Sequence, residues 1–159
     1  MTTSITPYHA NYQTGVIELI LGIQQNEFQL PITLEDQPDL TDIEGFYVHP
    51  GGQFWVASNQ GRVVGTVALL YLNQTQRALR KMFVHPDFRG EGLAVSLLDE
   101  AIQACRELAV TEIFLGTTEQ FKAAHRFYER QGFALCETSQ LPEEFPIMAV
   151  DKRFYCFEI

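Results

Sequence analysis

The junction between an apolar strand and a long amphipathic helix is the feature that most constrains how this chain folds. Apolar residues predict a strand at about 77–84, and from Gly92 to Leu108 they recur at helical spacing. The two elements are joined by Arg89-Gly90-Glu91-Gly92-Leu93-Ala94. A strand that leads through two glycines into a helix indicates a mixed fold in which the helix N-terminus adjoins the end of a sheet strand.

This hexapeptide has the chemistry of an anion site. The first turn of a helix has backbone N–H groups without intrahelical partners and lies at the positive end of the helix dipole. Gly90 and Gly92 let that backbone approach an anion closely, and Arg89 adds a positive charge. An ordinary strand-to-helix turn explains the same residues equally well. A P-loop is excluded because no Lys-Ser or Lys-Thr follows, and a dinucleotide fingerprint is excluded because Val95 stands where a third small residue is needed.

The rest of the hydrophobic pattern predicts a succession of helices and strands. We expect helices over about 14–26, 92–108 and from a capping box at Thr117–Gln120 to Gly132, with a shorter one near 33–37. Strands are expected at 54–57, 63–71, 77–84, 112–115, 133–136 and 152–158. The first two strands are joined by Asn59-Gln60-Gly61, a turn sequence suited to a hairpin.

Size and composition indicate one domain, residues 1–159, with its own hydrophobic core. The chain has 159 residues, of which 46% are hydrophobic. No run approaches the ~18 apolar residues of a membrane helix, and the N-terminus lacks the pattern of a signal peptide. Cys105, Cys136 and Cys156 are expected to be buried free thiols, so we expect a cytoplasmic protein without a membrane partner. The net charge of −9 argues against nucleic acid as a partner.

Two motifs resemble those of the GNAT superfamily of N-acetyltransferases. The first is Leu79-x-x-Met82-x-Val84-x-Pro86-x-x-Arg89-Gly90-x-Gly92, and the second is Ala124-x-x-Phe127-Tyr128-Glu129-x-x-Gly132-Phe133. The resemblance implies an α+β fold with a GNAT-like, strongly twisted mixed β-sheet of about six to seven strands flanked by helices. It also implies that acetyl-CoA binds as a cosubstrate in a V-shaped opening between the strands at 77–84 and 112–116.

The same resemblance implies which residues hold acetyl-CoA. Backbone groups of Met82, Phe83 and Val84 are expected to pair with the pantetheine arm like an added strand. Amides of the loop and the first helical turn are expected to hold the pyrophosphate, namely those of Arg89, Gly90, Glu91, Gly92, Leu93 and Ala94. Tyr128 is expected to protonate the departing sulfur, since a phenol is protonated at neutral pH. Packing into the core is the alternative role for this ring.

The general base is not visible in the sequence. Some family members use a strand glutamate, but positions 74–86 hold no acidic residue. We therefore expect a base that acts through water, with Glu27 and Glu44 as supports. His85 and His125 could titrate usefully, yet we expect both to be structural.

A second departure from the family pattern concerns the coenzyme arm. Many relatives have an asparagine seven residues before the helix tyrosine, whereas this chain has Phe121. Thr117 or Thr118 is expected to take over that contact, and a helix cap is their alternative role.

The resemblance implies transfer of an acetyl group from acetyl-CoA to a primary amine of a small molecule or an exposed peptide group. The amine attacks directly, so neither a covalent enzyme intermediate nor a metal is required. The alternative is a domain of the same fold that binds acyl-CoA without catalysis.

The acceptor is left open by the sequence. Segments 27–52 and 138–149 are expected to line its pocket. Their acidity suggests a cationic amine, whereas a substrate carboxylate would suit the basic residues Arg80, Lys81, Lys152 and Arg153. A homodimer would suit this fold.

Overall fold

The fold is a seven-stranded mixed sheet flanked by helices, and the computed structural model describes residues 2–159 of the chain. The strands are β1 (Ser4–Pro7), β2 (Gln53–Asn59), β3 (Arg62–Asn73), β4 (Gln76–Val84), β5 (Glu112–Thr117), β6 (Ala134–Cys136) and β7 (Arg153–Glu158). Their order in the sheet is β1-β2-β3-β4-β5-β7-β6. β4 and β5 run parallel, and the other neighbouring pairs are antiparallel. The predicted α+β fold with a mixed sheet of six to seven strands is confirmed.

Three α-helices cover the two faces of the sheet. They are α1 (Gln13–Leu21), which continues as a π-helical turn over Gly22–Glu27, α2 (Leu93–Glu107) and α3 (Lys122–Arg130). Alternation along β2 explains why both faces are apolar. Phe54 and Val56 pack on the α1 side with Ile20, whereas Trp55 and Ala57 belong to the core under α2. A sheet covered on both faces leaves its edges and ends for binding.

The predicted hairpin between β2 and β3 is confirmed. Gln60 and Gly61 both have positive φ, 53° and 78°, as a two-residue type I′ turn requires. The other predicted strands are also present, and β1 is an additional edge strand. Its four residues alternate too briefly to be recognised from the sequence.

Two helices are predicted at the wrong positions along the chain. Thr117 is the last residue of β5 and does not cap a helix, because α3 begins at Lys122 after Phe121. The segment near 33–37 is a turn closed by the Thr33 and Asp36 side chains, and the helical turns lie later, at Pro38–Thr41 and Glu44–Val48. In both cases local side-chain hydrogen bonds or strand pairing replace the helix that the spacing suggested.

The three thiols are free, and one of them is buried. Cys105 lies in the core, and burial raises its pKa to about 11. Cys136 and Cys156 are half-buried on β6 and β7, so the prediction of three buried thiols is wrong for these two. The sheet ends at β6 and leaves these strands partly open to solvent.

Candidate active site

The site begins where β4 and β5 separate. The two strands pair only over Gln76–Ala78 and Glu112–Phe114 within the described sheet. Beyond this point the strands diverge, and a cavity of about 420 Å³ opens between residues 79–83 of β4 and residues 116–118 at the end of β5. This is the opening in which acetyl-CoA is predicted to bind.

Both segments expected to line an acceptor pocket contribute walls to the cavity. The first contributes Leu30, Pro31, Ile32, Asp36 and Gln37, and the second contributes Phe145, Pro146, Met148 and Ala149. Prolines in both segments prevent regular secondary structure and hold the chain as loops over the end of the sheet. The cavity is therefore closed by irregular backbone on one side and by strands on the other.

A β-bulge shapes the β4 wall. Thr66 pairs with Phe83 and Ala68 pairs with Arg80, so β4 has one more residue than β3 across this interval. Lys81 adopts a φ of 52°, and its carbonyl accepts a hydrogen bond of 2.6 Å from the Thr66 hydroxyl. Met82 and Phe83 then line the cavity, whereas Val84, the last residue of β4, lies beyond it.

The edge of β4 that faces the opening is free after Ala78. No strand of the described sheet pairs there, because β5 has diverged. Backbone groups of Met82 and Phe83 are thus available on this edge for an extended ligand arm, whereas the Val84 carbonyl accepts a hydrogen bond from the Arg89 side chain.

The N-terminus of α2 fits a phosphate group. Gly90 and Gly92 have φ of 80° and 84°, and a Cβ at either position would point into open space. Among the described residues, no backbone acceptor takes the amides of Gly92, Leu93 and Ala94, the residues that open the helix. These amides keep the hydrogen-bonding capacity that binding of the pyrophosphate would require.

Arg89 makes contacts that the sequence did not suggest. Its guanidinium forms two hydrogen bonds with the Glu27 carboxylate, and its Nε donates to the Val84 carbonyl at 2.9 Å. Its amide donates to the Pro86 carbonyl at 3.4 Å. The Arg89 side chain therefore ties the end of β4 to the turn after α1, and Glu27 neutralises part of its charge. Neither Glu27 nor Glu44 lines the 420 Å³ cavity.

Tyr128 lies in α3 with its ring in the core and lines the cavity. Its ring centroid is 5.5 Å from those of Phe127 and Phe133. Burial raises the pKa of Tyr128, so the phenol stays protonated at neutral pH. No hydrogen bond joins its hydroxyl to another described residue, which leaves that proton available to a ligand.

The end of β5 brings the two threonines to the same cavity. Thr117 and Thr118 are buried, and the Thr118 hydroxyl has no hydrogen-bond partner among the described residues. Phe121 also lines the cavity, and its ring packs 4.8 Å from that of Phe28. An unsatisfied buried hydroxyl beside an open cavity is suited to a bound polar group.

The two histidines make contacts within the fold. His125 is buried between the Thr118 carbonyl, 2.8 Å from Nε2, and the Arg153 guanidinium, 3.3 Å from Nδ1. His85 Nε2 lies 2.7 Å from an Arg62 nitrogen. These contacts agree with the expected structural roles.

A buried charged cluster is the part of the site that the sequence did not reveal. Asp39 accepts a hydrogen bond of 2.6 Å from the Tyr47 hydroxyl and lies near Arg80 and Lys81. Asp151 lines the same cavity from the loop before β7. The two basic residues were candidates, but the two carboxylates lie in irregular segments that no sequence periodicity places.

The comparison with known families settles the class of this chain. The model of the acetyltransferase (GNAT) family matches residues 17–133. The chain belongs to this family. The GNAT match includes both motifs and every residue of the opening on β4 and β5, and it agrees with the resemblance found in the sequence.

Curated relatives of this GNAT protein include an N-acetylaspartate synthetase and an N-acetyltransferase. N-acetylaspartate synthetase from Danio rerio is 41% identical over 97 residues, which cover 60% of this chain and 34% of that protein. The uncharacterized N-acetyltransferase YjgM from Escherichia coli K12 is 34% identical over 99 residues, which cover 60% of this chain and 59% of that protein. The match thus spans about a third to three fifths of the length of these relatives.

Solved GNAT structures match the whole fold. The GNAT acetyltransferase from Staphylococcus aureus Mu50 has a TM-score of 0.96 and 41% identity, with 99% of each chain covered. The paia N-acetyltransferase from Thermoplasma acidophilum, in complex with coenzyme A, has a TM-score of 0.81 with all of both chains covered. At 15% identity the second likeness shows the fold alone.

Residues 2–159 contain neither a membrane-spanning helix nor a cluster of metal-ligating side chains. No helix in this part of the chain is long and apolar enough to cross a membrane. No group of three or more His, Cys, Asp or Glu side chains is placed there to hold a metal ion.

Proposed function

We propose that this GNAT protein transfers the acetyl group of acetyl-CoA to a primary amine of a small molecule or an exposed peptide group. The observation that carries the proposal is the opening between β4 and β5. Here β4 and the turn that follows it link a cavity lined by Tyr128 to the free amides at the start of α2. Some of its curated relatives are named as N-acetyltransferases, and a protein of the same fold carries coenzyme A.

The proposal assigns each part of acetyl-CoA to residues of this chain. The free edge of Met82, Phe83 and Val84 would hold the pantetheine arm, and the amides from Arg89 to Ala94 would hold the pyrophosphate. Of these amides, that of Arg89 already donates to Pro86, so Gly92 and the first helical residues supply the stronger contacts. Thr118 is favoured over Thr117 for the contact that replaces the missing asparagine, because its hydroxyl is unsatisfied.

The chemistry needs few protein groups. When bound, acetyl-CoA supplies an activated acetyl carbon, to which the amine nitrogen bonds as the carbon–sulfur bond breaks. Tyr128 holds a proton at its hydroxyl and would deliver it to the sulfur. The proton lost by the amine passes to water, and the Tyr128 hydroxyl regains a proton from water, so the enzyme ends unchanged.

The experiment that tests the proposal measures thiol release from acetyl-CoA against a broad panel of amines. Release above background with at least one amine is expected, and mass spectrometry of the product should show one added acetyl group. Calorimetry with coenzyme A provides the independent measurement. Binding of coenzyme A without thiol release for any amine would contradict the enzymatic proposal and favour the acyl-CoA sensor instead.

A further inference from the structure

Two cationic side chains lie side by side on the β4 wall of the cavity. Consecutive residues of a regular strand point to opposite faces of the sheet. The bulge at Lys81 breaks that alternation, and both Arg80 and Lys81 approach the same carboxylate, Asp39, at 4.0 and 3.6 Å. Their side chains are 13% and 8% exposed. The bulge therefore concentrates positive charge at one wall.

The protein compensates this charge incompletely. Asp39 is the carboxylate within 4.0 Å of these two cations in the described part of the chain, and its Oδ2 also accepts from Tyr47. Burial lowers the pKa of Lys81 to about 8, against the opposite effect of Asp39. Two poorly hydrated cations that share one carboxylate at contact distance gain from an anion that binds them directly in the cavity.

The opposite wall carries a negative charge. Asp151 packs against Gly116 of β5, where a Cβ would lie 2.6 Å from Oδ2, and that oxygen accepts a hydrogen bond of 3.2 Å from the Met148 amide. Burial raises the pKa of Asp151, whereas Arg80 and Lys81 lower it. Asp36, the remaining carboxylate of the lining, is exposed at the rim and is screened by solvent.

We infer that the acceptor is a small amine that also bears a carboxylate, with Arg80 and Lys81 binding its carboxylate and Asp151 facing its amine. The inference rests on the proposed function and narrows its substrate class to amino acids. A polyamine would bring positive charge against Arg80 and Lys81, and an amine without a carboxylate would leave these two cations to share Asp39. A cavity of about 420 Å³ has the size of a site for a small molecule.

The test compares acceptors that differ only in charge. The twenty proteinogenic amino acids are assayed singly against their α-carboxamides, with β-alanine, γ-aminobutyrate and spermidine added. The variant is Arg80→Met, because it leaves Asp39 and Lys81 as a one-to-one pair and so preserves the buried cluster. The matched control is Arg106→Met, which removes an exposed arginine from the last turn of α2. Binding is measured separately, by calorimetry of each acceptor with protein saturated with coenzyme A.

At least one carboxylate acceptor should exceed its carboxamide in kcat/KM by about tenfold or more. Arg80→Met should lose most of this ratio with unchanged coenzyme A affinity, and Arg106→Met should keep it. A preference for carboxamides or spermidine, or an unaltered ratio in Arg80→Met, would overturn the inference. If no amine releases thiol, the proposed function fails and calorimetry decides alone: amino-acid binding that Arg80→Met loses supports the site, and no binding overturns it.

Discussion

Tyr128 and Lys81 show how burial shifts the pKa of two side chains in one cavity. Burial raises the pKa of the phenol and lowers that of the ammonium, so each side chain favours its neutral form. Tyr128 has no counter-charge to modify this effect, whereas Asp39 keeps Lys81 largely protonated at neutral pH. The first residue can therefore donate a proton to a ligand, and the second can attract an anion.

Tyr128→Phe should lower kcat by about 100-fold, because a positioned general acid contributes on this order to a proton transfer. Coenzyme A affinity and thermal stability should change little, since the hydroxyl has no partner in the described structure. Steady-state kinetics and calorimetry measure the two effects. Tyr71→Phe, at an exposed tyrosine of β3, is the control. An undiminished kcat in Tyr128→Phe would remove this residue from the acid role.

Lys81 should make stability depend on pH above about 8. The folded pKa is about 8 and the unfolded value is 10.5. Below pH 8 both states are protonated, and the folded state bears the full cost of the buried charge. Between pH 8 and 10.5 the unfolded state binds more protons, so this part of the free energy of unfolding rises with pH.

Lys81→Met lacks this contribution, and other titrating groups are common to both proteins. The free energy of unfolding of the wild type minus that of Lys81→Met should therefore increase above pH 8, by at most about 1.4 kcal/mol for each pH unit. Urea denaturation of both proteins at pH 7, 8 and 9 measures it. A difference that stays constant from pH 7 to pH 9 would show that the pKa of Lys81 in the folded protein lies outside this range.

At the scale of elements, the N-terminus of α2 depends on a glycine for both conformation and access. A residue with a Cβ at a φ of 84° is strained by roughly 1–2 kcal/mol. Gly61 in the β2–β3 turn offers a matched control, because its φ is 78° and a Cβ there also meets open space. The two positions differ in that Gly92 alone adjoins the proposed phosphate site.

Gly92→Leu and Gly61→Leu should therefore lose similar stability, roughly 1–2 kcal/mol each by urea denaturation. Gly92→Leu should also weaken coenzyme A binding by at least about tenfold, because its side chain would stand before the free amides. Gly61→Leu should bind normally in calorimetry. Equal binding by both variants would move the pyrophosphate away from α2.

The elements that the sequence predicted best are those with a long periodic pattern. The α2 helix and strands β2 to β4 have enough apolar positions to define their period, and the Gly-containing turn fixes the hairpin. The start of α3 was misplaced because Thr117 and Gln120 have capping-box spacing while strand pairing holds Thr117 in β5. Capping is a local preference, and the hydrogen bonds of a sheet override it.

The cosubstrate side of the site was predictable, and the acceptor side was not. Residues 79–94 form one continuous strand and turn, so residues that are neighbours in the motif are also neighbours in the structure. The opposite walls come from two loops, near 30–37 and 145–151, whose prolines leave no period to interpret. Asp151 reaches the cavity through the second of these loops, and Asp39 lies in the helical turn after the first, beside Arg80 and Lys81.

For the whole molecule, the divergence of β4 and β5 leaves a wedge-shaped opening between the two halves of the sheet, β1 to β4 and β5 to β7. A ligand that fills this wedge should stabilise the folded state without entering the cores on either face. Coenzyme A at 100 times its Kd should raise the free energy of unfolding by about 2.7 kcal/mol. For a chain of this length the expected rise in Tm is roughly 5–10 °C.

Differential scanning calorimetry with coenzyme A measures this shift. Inorganic pyrophosphate at the same concentration is the control, because it can occupy the α2 amides but has no arm to pair with β4. A shift as large with pyrophosphate would mean that the wedge contributes nothing to binding.

The bulge in β4 has a consequence for how this strand tolerates change in length. Before the bulge the even-numbered residues of β4 point to one face of the sheet, and after it the odd-numbered residues point to that same face. Removing one residue between Arg80 and Phe83 would restore regular alternation, with Phe83 still paired with Thr66 and Arg80 with Ala68. A one-residue deletion elsewhere in β4 would turn the side chains on one side of it to the other face, so the bulge is the place where this strand can lose a residue without exchanging its two faces.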